Sequence, residues 1–353
     1  MVKWISVPTE TKVNAYQQIS ETTGMSAFAV EKDWWVVQAL SVIFEMNDSK
    51  YLVFKGGTSL SKAWGLIERF SEDVDLAIDR AFFHIEKLDA TGKVVDLSRK
   101  QITELRKEAS EYTSGIFLEE LKRRFAEKGI NGLIFKLVET TDSDQDPRII
   151  EIYYPNVIQA PDYLEARVQI EIGCRSLKEP FTVKTFSSLV DEHYSEMDFA
   201  LPPIQVPSVN PERTFLEKIF LLHEEFQRPI EKIRVERLSR HLYDVVKLSK
   251  TEFAEKALTD KELYETIVIH RHKFTRIAGI DYNLHQVKTI NPIPIPEVIK
   301  DWKTDYNKMI EQMIYEENPL SFEEIIDELT LLRGRINALD WAFNESFSAP
   351  HKQ

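Results

Sequence analysis

YLVFKGGTSLSKAWGLIERFSEDVDLAI, residues Tyr51 to Ile78, is the most informative run of the chain. Tyr51-Leu52-Val53-Phe54 is an apolar segment of strand length. Lys55-Gly56-Gly57-Thr58 interrupts it, and glycines there let the backbone turn tightly and bring N–H groups close to a ligand. Ser59 to Ile67 reads as a helix with Leu60, Ala63, Trp64 and Ile67 on one stripe. A helix that starts at a glycine turn offers unpaired N–H groups and a favourable dipole to a phosphate. Asp73-Val74-Asp75-Leu76-Ala77-Ile78 then reads as a strand. Side chains alternate along it, so Asp73 and Asp75 share one face while Val74 and Leu76 share the other. Two carboxylates so placed can hold Mg²⁺, a hard cation that usually sits between carboxylates and phosphates.

A Gly-Gly pair alone is commonly just a turn, and an acid-x-acid pair is commonly a solvated strand face. In this order and at this spacing they resemble the nucleotidyltransferase superfamily: a Gly-Gly or Gly-Ser turn, a helix, then Asp-x-Asp on a strand. KGGTSLSK followed by RFSEDVDL is similar in particular to the AbiEii-type nucleotidyltransferase toxins of bacterial abortive-infection and toxin–antitoxin systems. The resemblance implies Mg²⁺ on Asp73 and Asp75, an NTP as co-substrate, and phosphates cradled by Lys55, Gly56, Gly57, Thr58 and Ser59.

The 353 residues suffice for about two domains. A formal net charge of −13 argues against a broad non-specific nucleic-acid coat but leaves room for a local basic cleft. Cys174 is the only cysteine, so no intrachain disulfide can form and a reducing compartment is expected. MVKWISVPTETKV carries no signal-peptide core, and no run of about 18 apolar residues exists to span a membrane, so a cytoplasmic protein is expected.

Taken in order, residues 8 to 46 read as helical, with Phe28, Val30, Trp34, Trp35, Val37, Leu40, Val42 and Ile43 forming a dense apolar set. Glu31-Lys32-Asp33 lies inside it and reads as surface charge on a core helix, although the resembled family has a similar piece there. Lys100 to Lys128 reads as a long amphipathic helix with a solvated face. Leu133 to Glu139 and Arg148 to Tyr154 read as strands. The acidic turn between them lacks EF-hand spacing and reads as a hairpin loop. Leu164 to Gly173 is a further strand, with Arg167, Gln169 and Glu171 on one face. Nucleotidyltransferases place a third carboxylate on such a later strand, and Glu171 is the candidate, with Glu165 second. The plain alternative is a strand-face glutamate paired with Arg167. Pro202, Pro203 and Pro207 resist both helix and central strand. They suggest domains of residues 1–203 and 204–353: an α/β (α+β) nucleotidyltransferase core with a mixed sheet, then a mostly α-helical C-terminal domain, with the active cleft between them.

In the C-terminal part, Pro211 to Phe226 reads as a helix begun by Asn210 and Pro211. Lys218 lies at the border of its apolar stripe, where a lysine can bury its stem and offer its ammonium to a cleft. Ile233 to Leu248 reads as a partner helix, with Arg237, Arg240, His241 and Asp244 on the face opposite its core. That row is either a surface ion-pair ladder or a wall holding triphosphate oxygens, in which Asp244 orients a cation or takes a proton from the attacking hydroxyl. EKIFLLHE around Lys218 and SRHLYDVVKL around Asp244 resemble AbiEii-type motifs. This implies that Lys218 and Asp244 complete the site, with Arg240 beside them. His270 and His272 lack zinc spacing, and HRHKFTR reads as a basic patch that touches RNA. The resemblance further implies a toxin acting on an RNA acceptor such as the 3′ end of a tRNA, with an antitoxin encoded nearby. The rivals are a protein or small-molecule acceptor, or a nucleotide-binding sensor without catalysis.

Overall fold

Gly24 closes the first long helix, α1 (Thr9–Thr23), in a left-handed conformation, with its N–H donating to the Ser20 carbonyl. Ser26 then caps α2 (Ala27–Phe44), its side chain accepting the Ala29 N–H. The computed structural model describes residues 2–71, 73–85, 97–139, 147–160, 165–174, 180–343 and 345–348. It divides into a sheet unit, residues 1–65 and 70–209, and a helical unit, residues 66–69 and 210–353.

In the sheet unit, β1 (Leu52–Lys55) leads into the one-turn α3 (Gly56–Thr58) and a wide turn, Ser59–Ala63, closed by Trp64 N–H donating to the Ser59 carbonyl. The helix expected over 59–67 is therefore shorter and begins at the glycines themselves. The chain continues through β2 (Asp73–Ile78), α4 (Arg99–Tyr112), a second wide turn, and α5 (Leu118–Glu127). Then come β3 (Ile134–Leu137), β4 (Arg148–Tyr153), β5 (Arg167–Gly173), β6 (Phe181–Phe186), α6 (Leu189–His193) and β7 (Ile204–Val209). The acidic hairpin loop lies, apart from Pro147, outside the described residues.

The strands form one mixed sheet in the order β3-β4-β5-β2-β1-β7-β6. β2–β5 and β1–β7 are parallel and the other pairings antiparallel. A mixed sheet with helices is the α/β class that the sequence indicates. The sheet runs past the expected 203/204 division, because Ile204–Val209 pairs along its length with β6. Pro207 is tolerated there because β7 meets β1 only at Phe54↔Ser208, so the proline N is not needed on that side.

The Glu31-Lys32-Asp33 expectation is corrected. α2 is apolar nearly all round and so has no solvent face for charges. All three are buried and partnered, as buried charges must be. The Glu31 carboxylate accepts the N–H groups of Val157 (2.8 Å) and Ile158 (2.9 Å). Lys32 donates to the Glu165 carbonyl (2.8 Å). Asp33 pairs with Lys62 (2.9 Å) and accepts the Leu189 N–H (2.7 Å). Burial pushes the Glu31 carboxyl up despite its two N–H donors. Cys174 is a buried free thiol, as a small core filler would be.

The helical unit contains α7 (Pro211–Glu225), α8 (Arg240–Ser249), α9 (Glu252–Thr259), α10 (Lys261–His270), α11 (Ile299–Met313) and α12 (Phe322–Asn337). α8 starts seven residues later than Ile233. Asp305 of α11 accepts the N–H of Arg237 (2.8 Å), the N–H of Ser239 (3.1 Å) and the Ser239 hydroxyl (2.5 Å). Arg237 sits at φ +61 in this turn, outside the helix. A carboxylate from another helix thus satisfies the α8 N-terminus and fixes where it begins. The expected basic patch at HRHKFTR is in part internal. Arg271 pairs through both Nε and Nη2 with buried Glu224, and His272 packs against Tyr282 and Phe347.

His223 of α7 accepts the Asn291 N–H at Nδ1 (3.1 Å) and lies edge-on to His285. Burial, with His285 beside it, pushes its pKa down to about 3. Below the unfolded-state value of about 6.5 the unfolded chain takes up a proton that the folded chain refuses, so stability falls as pH drops. At pH 5 this costs about 2 kcal/mol. Glu224, whose pair with Arg271 overcomes burial and lowers it to about 2, keeps its full contribution down to about pH 4.5 and loses it only below, which leaves this window clear. Urea unfolding at pH 7 and pH 5 is expected to show a larger loss in wild type than in His223→Gln. Equal losses would remove His223 from the account.

Candidate active site

Antiparallel pairing of β1 with β2 sets Lys55 opposite Asp75, directly before the glycine turn. Gly56 has φ +78, and a Cβ built on it would lie 1.8 Å from Asp75 Oδ2 and 2.7 Å from Asp75 Cγ. Only glycine both adopts this backbone and leaves room for the carboxylate. The turn is laced to β2 by Thr58, which is buried: its hydroxyl donates to the Asp73 carbonyl (2.5 Å) and lies 3.0 Å from Ser71 Oγ. That hydroxyl proton is committed to the strand, so Thr58 builds the turn more than it presents a donor to a ligand. Ser59 is also buried, and its hydroxyl has no hydrogen-bond partner among the described residues. Lys62 ties the following turn to Asp33 of α2.

Asp73 and Asp75 fall on the half-buried face of β2, while Val74 and Leu76 are fully buried on the other. Parallel pairing sets Gln169 opposite Asp73 and Glu171 opposite Asp75. The sheet therefore brings Lys55, Gly56, Asp73, Asp75 and Glu171 together on neighbouring strands. Glu165, the second choice, lies before β5, where its side chain pairs with Arg167 (2.8 Å).

Among the described residues, no three His, Cys, Asp or Glu side chains form a closed metal cage. The donor set nonetheless fits a divalent cation of the Mg²⁺ kind. Such an ion needs only one or two carboxylates when substrate phosphates and water supply its other ligands. The space that a Cβ would fill at Gly56 keeps Asp75 against the turn.

The helical unit holds the second group. Arg69 donates through Nε to Asp244 Oδ1 (2.6 Å) and through Nη2 to Oδ2 (2.7 Å). Lys218 Nζ lies 2.8 Å from Asp244 Oδ2 and 3.3 Å from His241 Nδ1. Asp244 is 0% exposed, Arg69 1% and Lys218 7%. The surface-ladder reading of Asp244 is thereby corrected, since α8 is buried over most of its circumference, from Leu242 through Val246. Burial alone would raise the Asp244 carboxyl, but Arg69 and Lys218 overcome it and hold the acid ionised far below the usual carboxylate range. Burial, reinforced by Arg69 and Arg240, lowers the Lys218 ammonium, while Asp244 opposes that shift. Burial and the neighbouring Lys218 and Arg240 keep His241 well below its usual value. A carboxylate bound bidentately by arginine and again by lysine is a weak proton acceptor. Asp244 is suited to orient Lys218 and Arg69, not to accept a proton.

Sequence reasoning missed the role of Arg69. It matched the motif as a flanking residue, yet its partner lies 175 positions away. Asp33 was also missed. The available signal was the lack of any polar stripe on α2.

A family model described as nucleotidyl transferase AbiEii toxin, type IV TA system, matches residues 38–342. Among solved structures, the chain is similar to MenT4, a nucleotidyltransferase toxin from Mycobacterium tuberculosis. The identity is 16%, with 90% of this chain and 99% of that one covered at a TM-score of 0.45. It is similar also to JHP933 from Helicobacter pylori, at 16% identity, 89% and 93% coverage and a TM-score of 0.42. At these values neither structural likeness carries an argument. A search of curated proteins finds no match.

Proposed function

The chain belongs to the AbiEii nucleotidyl transferase toxin family, and from that premise we propose that it moves a nucleotide from an NTP to an acceptor hydroxyl on RNA, the 3′ end of a tRNA. The observation that carries the reading is the packing of Gly56 against Asp75, since it joins a turn suited to phosphates to a carboxylate suited to a metal. Asp73 and Asp75 would hold Mg²⁺, which when bound neutralises charge on the phosphates. The acceptor oxygen attacks the α-phosphorus, pyrophosphate leaves, and the hydroxyl proton passes to Glu171. Lys55 and the backbone N–H groups of the glycine turn contact the triphosphate, and Lys218 and Arg240 serve as further cations for it. Asp244 acts through Lys218 and Arg69.

The acceptor assignment rests on the family's description as a toxin. With a net charge of −13, RNA must be held by local contacts. That description also supports an antitoxin partner for this chain; a role in phage defence and a cytoplasmic location are further parts of the proposal. Among the described residues, no helix is long and apolar enough to cross a membrane.

The test incubates purified protein with Mg²⁺, total bacterial RNA and each α-labelled NTP in turn, resolved on a gel. Label on a tRNA-sized band is the expected result and names the nucleotide. Label on protein alone moves the acceptor to protein. No label with any NTP, with RNA present, counts against an RNA acceptor.

A further inference from the structure

Three polar side chains of β5, Arg167, Gln169 and Glu171, follow one another on the face that carries Asp73 and Asp75. They form a directed chain of hydrogen bonds. Arg167 is anchored by Glu151 of β4 (3.1 Å) and by Glu165 (2.8 Å). Glu151 is itself held by the Tyr153 hydroxyl (2.9 Å). Arg167 Nη1 donates to Gln169 Oε1, and Gln169 Nε2 donates to Glu171 Oε1 (2.7 Å). A guanidinium can only donate, so it fixes which end of the Gln169 amide faces it. The amide nitrogen is thereby turned toward Glu171.

We propose that Gln169, oriented by Arg167, is a positioning residue that holds the Glu171 carboxylate beside Asp75. Three acids on adjacent strands repel one another, and an unsupported Glu171 with three rotatable bonds would swing away from Asp75. A donor on its far side, itself locked by an arginine that touches no acid of the site, removes that freedom. A neutral amide donates to the carboxylate without adding a charge of its own. The inference deepens the proposed function and rests on the reading of Glu171 as the third carboxylate.

The variants are Gln169→Glu and Gln169→Met. The first is isosteric and still accepts from Arg167 but has no donor for Glu171. The second fills the space without either bond. Both are expected to lower kcat for nucleotide transfer about 10- to 100-fold, the range for losing a hydrogen bond to a charged group, with the KM for NTP unchanged. Metal-free crystal structures of both are expected to show Glu171 rotated away from Asp75, with Asp73 and Asp75 in place. If Glu171 keeps its wild-type position in both structures, or kcat is unchanged in both, the positioning role is overturned. A role in filling space alone predicts a wild-type kcat for the uncharged Gln169→Met. Glu171→Gln separates the two ideas. A wild-type rate in that variant removes Glu171 from the chemistry, and the crystal structures then still decide whether Gln169 positions it.

Discussion

Asp75→Asn is expected to lower nucleotide transfer by about 10²–10³-fold or more, the scale of losing one preorganised electrostatic contact to a transition state. The amide keeps the shape that fits against Gly56, so the fold is expected to be unaffected, and thermal unfolding should match wild type closely. What is lost is the charge that the proposed function assigns to holding a cation, and with it much of the neutralisation of the triphosphate. Raising Mg²⁺ is expected to recover part of the rate in Asp75→Asn. Gly56→Ala reaches a similar loss by a steric route. Its Cβ would collide with Asp75 Oδ2, and φ +78 adds strain of about 1–2 kcal/mol. Here the carboxylate is present but displaced, so added Mg²⁺ should recover less. Initial rates measured across a Mg²⁺ series for both variants check this. Wild-type rates in Asp75→Asn would remove the metal reading of the pair.

The parts of this site legible in the sequence are those whose logic is local. The glycine turn precedes β2 by a fixed number of residues, and alternation alone puts Asp73 and Asp75 on one face. Alternation also singles out Glu171 on β5, although only pairing in the sheet sets it opposite Asp75. Contacts between distant segments left no such trace. Glu31, Lys32 and Asp33 look like solvated charges until α2 is seen to have no solvent face. The helix read from Ile233 projects Asp244 outward at 100° per residue. That projection fails because other segments cover α8 on nearly every side, leaving Leu242 through Val246 all buried. The prolines at 202, 203 and 207 read as poor central-strand material, yet Ile204–Val209 is a strand of the sheet. A strand paired mainly on one side can still hold Pro207, and no local rule records which side that is.

Asp244→Ala is expected to destabilise the protein by about 3–5 kcal/mol, because it removes the carboxylate that two buried cations share. Arg69 cannot shed its proton, and Lys218 can do so only by giving up the ammonium that the proposed function uses. Asp244→Asn retains an acceptor for Arg69 and should lie between wild type and Asp244→Ala. The sign with pH follows from the depressed acid. The Asp244 contribution is fully present above its unfolded value of about 3.9 and is lost as pH falls toward the folded value, so acid unfolding should be steeper in wild type than in the variants. Stability alone does not separate a structural lock from a role in positioning Lys218 for the reaction, but replacing the whole group does. In Arg69→Met, Lys218→Met, Asp244→Leu combined, apolar side chains of similar size fill the interior, and such replacements of buried ion groups are often neutral or stabilising. The combined variant is expected to regain most of the stability lost in Asp244→Ala, read by urea midpoint, while transfer stays as low as in Lys218→Met alone. Recovery of both stability and transfer would show that the group is there only to hold the fold. Recovery of neither would mean that the segment around position 69, only four residues before Asp73, depends on this ion pair in a way that apolar packing cannot replace.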